Sequence, residues 1–208
     1  MESQGAEVVA CDVSEEQCWD TSPLALNAQE YEQLIKERKK TIRRLNNSFW
    51  LAHRAYSSRA RMVYATAYTI PQEIGLVDIS TFSSILEHLR DPFLALQNAL
   101  RLTRETVIIT EVVGGTRVRL ASAILHLLGK RSPLMLYTQD YREPGPLENW
   151  WAFSIDILTN FIGALGFEKY ELHRFALRNA NNDWGGQAVA IVGHRTQGSP
   201  WVDHAANE

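Results

Sequence analysis

Short apolar runs alternate with longer helix-forming stretches along this chain. Glu7 to Cys11 reads E-V-V-A-C and stops at Asp12, a run that suits a strand buried on both faces. Helix formers dominate from Ala28 to about Ser57. Tyr31, Leu34, Ile35, Ile42 and Leu45 recur near helical spacing, and Asn46-Asn47 predicts a break, with Phe49 to Tyr56 restarting as a short helix. Arg61 to Ala65 reads as the second strand, with Pro71 closing the loop behind it, and Val77 to Phe82 as the third. Asp91-Pro92 opens a helix through Leu102, with Asp at the cap and Pro at the first turn. Thr106 to Val113 (T-V-I-I-T-E-V-V) is the clearest strand, ended by Gly114-Gly115. Val118 to Leu128 is apolar enough for a buried or lid helix, and Arg131 to Trp151 reads as a long loop rich in Pro, Gly and aromatics. Ser154 caps a helix from Ile155 to Leu165, stopped by Gly166. Glu168 to Leu177 and Gln187 to His194 predict an antiparallel hairpin around Asn179 to Gly186.

The order β-α-β-loop-β-α-β-α-α-β-β places the chain among α/β folds, with a mostly parallel sheet covered on both faces and an antiparallel pair at the end. In such sheets ligands sit beyond the carboxyl ends of the strands. The length of 208 residues fits one domain, here residues 1–195 with a lid insertion over about 114–153 and a mobile tail over 196–208.

Composition narrows the classes. Hydrophobic residues make up 45% and charged residues 22%, as in ordinary globular chains. Lys plus Arg total 21 against 24 for Asp plus Glu, so the chain as a whole is not a strongly basic nucleic-acid binder. No apolar run reaches the roughly 18 residues of a membrane span. The first residues lack a basic-then-apolar leader, so no membrane contact and a cytoplasmic location are expected. Cys11 and Cys18 form neither a disulfide framework nor a CxxC pair, and Cys11 is expected buried and inert. The histidines show no ligand-like spacing, so no metal is expected.

Several residues could carry chemistry, each with a plainer alternative. Asp12, directly after a strand, could accept hydrogen bonds from a ribose diol, or it could serve as a turn residue. Ser83-Ser84 could leave room for a ligand at a strand end, or simply pack a tight turn. His88 could act as a general base, or as a structural histidine bonded to a loop carbonyl. Glu87 could hold a ligand ammonium group, or cap a helix. Lys36 to Arg44 (K-E-R-K-K-T-I-R-R) could face RNA phosphates, or be a solvated helix face. Trp150-Trp151 could stack a planar substrate, or pack the loop, whereas Trp50 lies in a helix and is expected in the core.

Taken together, G-A-E-V-V-A-C-D, Y-A-T-A-Y-T-I-P, V-D-I-S-T-F-S-S-I-L-E-H-L-R-D-P and T-V-I-I-T-E-V-V resemble a class I S-adenosylmethionine-dependent methyltransferase over roughly residues 3–195. N-S-F-W-L-A-H-R-A-Y-S-S and N-W-W-A-F-S-I-D-I-L-T-N-F-I-G-A-L-G-F-E are similar to the branch that includes the tRNA wobble-uridine carboxymethyl-transferring enzymes. The resemblance implies a Rossmann-like sheet, S-adenosyl-L-methionine as cofactor, methyl transfer, and a small-molecule or tRNA acceptor. A homo-oligomer is compatible with it. Residue by residue, it places Asp12 on the cofactor ribose and Thr66 and Ala67 beside the adenine. Ser83 and Ser84 would lie under the methionine portion, and Trp150 and Trp151 would border the acceptor pocket. Glu87 and His88 match an E-H pair whose role varies across the family; Glu87 is expected on the cofactor, and His88 is expected to take the acceptor's proton if the acceptor needs that.

The chain also departs from the family. The usual Asp is replaced by Thr66, and D-x-G-x-x-x-G occurs nowhere in the sequence. The resemblance therefore implies an N-terminally truncated domain that begins inside the first helix. Its first, central strand, between the Val8 and Val77 strands, would be missing, leaving two unpaired inner edges. The alternative implication is a non-catalytic remnant or partner subunit that keeps the fold without binding cofactor.

Overall fold

The computed structural model describes residues 1–17, 19–21, 26–113, 116–131, 133–140, 142, 148–178 and 184–198, with backbone only at 116, 117, 119 and 184–187. Cys18, Gly114-Gly115 and Trp201 lie outside the described residues, as do most of the 141–147 and 179–183 segments. The chain divides into two compact units, Met1–Ile74 and Gly75–Glu208.

The first unit holds β1 (Val9–Asp12), α1 (Ala28–Ala55) and β2 (Arg61–Tyr64). β1 and β2 pair in parallel, Val9 with Arg61 through Asp12 with Tyr64. α1 starts at a capping box, where the Asn27 side chain accepts from the Glu30 amide and the Glu30 carboxylate accepts from the Asn27 amide.

The predicted break at Asn46-Asn47 does not occur, and α1 runs through it as one helix. Asn46 turns its amide inward, where Nδ2 donates to the Val13 carbonyl at 3.2 Å. That bond offsets the few tenths of a kcal/mol by which Asn is a poorer helix former than Ala. The first strand is also displaced from its predicted span, and Cys11 is exposed rather than buried.

The second unit holds β3 (Val77–Ser83), α2 (Pro92–Leu100), β4 (Thr103–Val112), α3 (Thr116–Leu127), β5 (Met135–Tyr137), β6 (Trp151–Phe153), α4 (Ile155–Ala164), β7 (Lys169–Arg178) and β8 (Trp184–His194). The order of its main sheet is β3-β4-β8-β7. β3 is parallel to β4, and the remaining pairs are antiparallel. The caps predicted from sequence are in place: the Asp91 side chain accepts from the Leu94 amide at 2.9 Å, and the Ser154 hydroxyl from the Ile157 amide at 3.3 Å. Leu96, Leu100, Val107, Ile109, Leu158, Ile162, Phe167 and Ile191 are fully or almost fully buried and make the core.

Two features of this unit differ from expectation. The segment predicted as a loop after Arg131 contains a hairpin, with β5 antiparallel to β6 and Tyr137 opposite Trp151. At the start of the expected tail, the Thr196 amide donates to the Gly166 carbonyl at 2.9 Å and Gln197 bonds the Glu168 carboxylate at 2.6 Å, and residues 199–208 lie outside the described residues. Hydrogen bonding thus joins the described strands into three sheets rather than one. Among the described residues, β1 and β3 are each paired along one edge only.

Candidate functional site

In the first unit, parallel pairing brings the carboxyl ends of β1 and β2 side by side, and with them three of the singled-out residues. Asp12 closes β1 and is exposed. Its Oδ1 accepts from the Val13 amide at 2.7 Å, which is the turn role, and among the described residues Oδ2 has no hydrogen-bond partner. Thr66 and Ala67 follow β2 in a turn closed by Thr69 N donating to the Thr66 carbonyl at 3.0 Å. The Thr66 and Thr69 hydroxyls bond each other at 2.8 Å. Cys11 is set against the Ala65 carbonyl; though the residue is exposed, desolvation around its sulfur and the neighbouring Asp12 carboxylate push its thiol up. That disfavours a reactive thiolate.

α1 spends part of its basic run internally. Arg38 is buried with its guanidinium 5.0 Å from the Trp19 ring, and Arg43 pairs with Glu15. Lys36, Lys40 and Arg44 are exposed. Trp50 is exposed rather than in the core, and its Nε1 donates to the Tyr64 hydroxyl.

In the second unit, Ser83 ends β3 and Ser84 turns the chain in the left-handed region, φ +48°, with its amide bonded to the Thr110 carbonyl at 2.7 Å. A short 3-10 turn, Leu86–His88, follows at once. It is held from below by Glu111, near the carboxyl end of β4: Oε1 accepts from the Ile85 amide at 3.0 Å and the Leu86 amide at 2.8 Å. It is held from the other side by the chain leading into β6, where the Trp150 amide donates to the Glu87 carbonyl at 2.8 Å.

His88 Nδ1 lies 3.0 Å from the Glu148 carbonyl. A carbonyl only accepts, so Nδ1 carries the proton, and in the neutral ring Nε2 carries the lone pair. Nε2 lies 3.6 Å from the Glu87 carboxylate. Burial raises the Glu87 carboxyl above its usual range, and His88 opposes part of that rise. Trp150 is 7% exposed, with the Arg90 guanidinium 5.1 Å from its ring. Trp151 is half-buried, donates from Nε1 to the Arg90 carbonyl at 3.1 Å and meets the Tyr137 ring edge-on at 5.6 Å. In this conformation Trp150 packs, while Trp151 and the 49%-exposed Tyr137 form the accessible aromatic surface.

The second unit therefore gathers Ser83, Ser84, Glu87, His88, Trp150 and Trp151 around one turn. The first gathers Asp12, Thr66 and Ala67 at one sheet end. Glu111 was not singled out from the sequence. Its signal is an acid at a position of β4 that shares an inward face with Val107 and Ile109. Glu111 is 0% exposed, and its carboxyl is pushed up to about 7, mainly by burial and also by the nearby Glu87 charge, against the two amide bonds.

A shallow depression lined by Arg104, Thr106, His194, Arg195 and Gln197 lies at the amino end of β4, away from this chemistry. Its Arg195 is committed to the Thr103 and Leu100 carbonyls and to the Phe167 ring. Among the described residues no group of three His, Cys, Asp or Glu is arranged to hold a metal ion, and no helix is long and apolar enough to cross a membrane.

No family model matches the chain, and no curated protein matches it. Solved structures do. A putative methyltransferase from Bacillus halodurans aligns with a TM-score of 0.55 at 11% identity, over 92% of this chain and 84% of that one. The YcgJ protein of Bacillus subtilis aligns at 0.54 and 14%, over 93% and 94%. The N-terminal domain of EvdMO1, crystallised with S-adenosylhomocysteine bound, aligns at 0.50 and 14%, over 94% and 77%. At such identities the likeness speaks for the fold: this chain has the Rossmann-like α/β fold of the class I methyltransferases.

Proposed function

We propose that the chain is an S-adenosylmethionine-dependent methyltransferase related to the branch that contains the wobble-uridine carboxymethyl-transferring enzymes, with its acceptor still to be found. The observation that carries the reading is Asp12. An exposed carboxylate closes β1, has one oxygen without a hydrogen-bond partner among the described residues, and lies beside the Thr66–Ala67 turn, in a fold that the methyltransferases share. A carboxylate with a free oxygen at a strand end suits a ribose diol. The fit is less complete for the methionine portion. D-x-G-x-x-x-G is absent from the sequence, and Ser84 has its amide engaged by Thr110.

The cofactor, when bound, supplies a methyl group on a sulfonium. Asp12 and the Thr66–Ala67 turn would hold it, and it would give up that methyl group to the acceptor's lone pair and leave as S-adenosylhomocysteine. The chain's own share is orientation and proton handling. His88 Nε2 takes the acceptor's proton, its ring held by the Glu148 carbonyl on the other nitrogen and the Glu87 carboxylate 3.6 Å from Nε2. Trp151 and Tyr137 offer a planar acceptor an aromatic surface.

Calorimetric titration with S-adenosylhomocysteine tests the reading. Saturable binding is expected, weakened by about 1–3 kcal/mol in Asp12→Ala, as for a lost charge-assisted hydrogen bond. Unchanged affinity in that variant removes Asp12 from the site.

A second reading, a folded partner subunit that has lost the cofactor, is favoured by one observation. β1 and β3 each have one unpaired edge among the described residues, in a sequence without the glycine-rich motif. A folded, cooperative protein that binds no S-adenosylhomocysteine would support it.

A further inference from the structure

Glu111 poses a question that the proposed reaction does not answer. Its Oε1 accepts two backbone amides, Ile85 and Leu86, at the start of the turn that carries Glu87 and His88. Its Oε2 is buried and has no hydrogen-bond partner among the described residues. The residue is 0% exposed, as is Leu86 above it. A glutamine amide oxygen could serve the same two N–H groups without placing an ionisable group in the interior.

What glutamine could not do is change its charge. As a carboxylate, Glu111 holds both amides with charge-assisted bonds. As a neutral acid it holds them less strongly, and it adds an O–H donor with no acceptor beside it among the described residues. The titratable group that acts on it directly is Glu87, on the turn itself, with His88 acting on Glu87 in turn. On the β8 side its partner is the apolar Val189. Charge on Glu111 is therefore linked, through one short turn, to the position of both groups that would handle the acceptor's proton.

We infer that Glu111 is a proton-controlled positioning residue: ionised, it latches the Ile85–Leu86 turn and sets Glu87 and His88 in place, and on gaining a proton it releases them. The inference concerns the latch and stands whether or not the cofactor reading holds.

The test is a pH series from 5.5 to 8.5 on the isotope-labelled full chain, followed by NMR. The Glu111 side-chain carboxyl carbon and the Ile85 and Leu86 amides are expected to shift together, with one midpoint near 7. The amide midpoint should persist in His88→Gln, move to lower pH in Glu87→Gln, where the like charge is gone, and vanish in Glu111→Gln. If Glu111→Gln does not fold, the carboxyl carbon of the unaltered protein gives the same reading with no variant at all. Amides that stay flat across the series overturn the latch. So does an amide titration that survives in Glu111→Gln or disappears in His88→Gln, since that assigns it to the histidine. S-adenosylhomocysteine added at the end separates the two proposals. No binding together with a titrating latch overturns the cofactor reading and leaves the latch standing. Binding together with flat amides does the reverse.

Discussion

Two parallel strand pairs occur among the described residues, and they are held very differently. β3 with β4 belongs to a four-stranded sheet in which β4 is paired on both sides and buries Val107 and Ile109 completely. β1 with β2 is four residues long, and no residue of either strand is buried. Among the described residues, the apolar side chains buried in that unit are Ile42 and Ala65. Parallel pairs are normally covered on both faces, because the crossover connections between parallel strands lay helices over the sheet. The difference teaches that one strand pattern can serve two ends. The larger sheet is a scaffold with a charged latch in its interior. The smaller pair presents a carboxylate, Asp12, on a lightly packed support. Its amides should exchange through local opening well before those of β4 and β8.

Three substitutions sharpen the contrast. The largest effect belongs to Glu111→Gln. A carboxyl raised from its ordinary value of 4.5 to about 7 by burial penalises the folded state as pH rises through that window. The variant is therefore expected to gain stability relative to the unaltered protein between pH 4.5 and 8, by up to roughly 3 kcal/mol. Denaturant melts at the two ends of the window measure it, and a stability difference independent of pH would break the account of the interior charge.

Gly193→Ala comes next. A Cβ there would meet Ile162 Cδ1 at 2.8 Å and Val107 Cγ1 at 3.0 Å, where α4 lies close on the sheet. Overpacking of this kind costs about 1–3 kcal/mol, read as faster exchange in β4 and β8. Indifference to the added methyl would show the scaffold to be looser than its packing implies.

Asn27→Ala is the mildest. Losing half of the capping box should cost about 1 kcal/mol, confined to the opening turns of α1. Protection factors along α1 that do not change would contradict the role given to the cap.

The same contrast explains what could be read from the sequence. β4 and the caps at Asp91 and Ser154 were legible because their signals are local: alternating apolar residues, and a side chain bonding an amide three positions on. Asp12 and the Glu87-His88 turn were legible as positions, since a strand end and a turn are local too. The rest depended on partners distant in sequence. Asn46 looked like a helix break because its bond to the Val13 carbonyl cannot be read from its neighbours. The β5–β6 hairpin was hidden because three-residue strands carry almost no pattern of their own, and aromatic contacts such as Tyr137 with Trp151 accompany their pairing. Cys11 was expected inside because its apolar run suits a strand covered on both faces, and among the described residues β1 is paired along one edge only. Glu111 read as one acid interrupting an apolar strand, and its two amide donors lie well upstream.

The central claim is that this chain binds S-adenosylmethionine through its first unit, and a thermal-shift titration with S-adenosylhomocysteine tests it most directly. At about 100 times the dissociation constant, ligand should add roughly 2.7 kcal/mol to the stability of a competent fold. The account predicts a saturable rise in Tm that is reduced in Asp12→Ala. A cooperative melt whose Tm does not move at saturating ligand would contradict it.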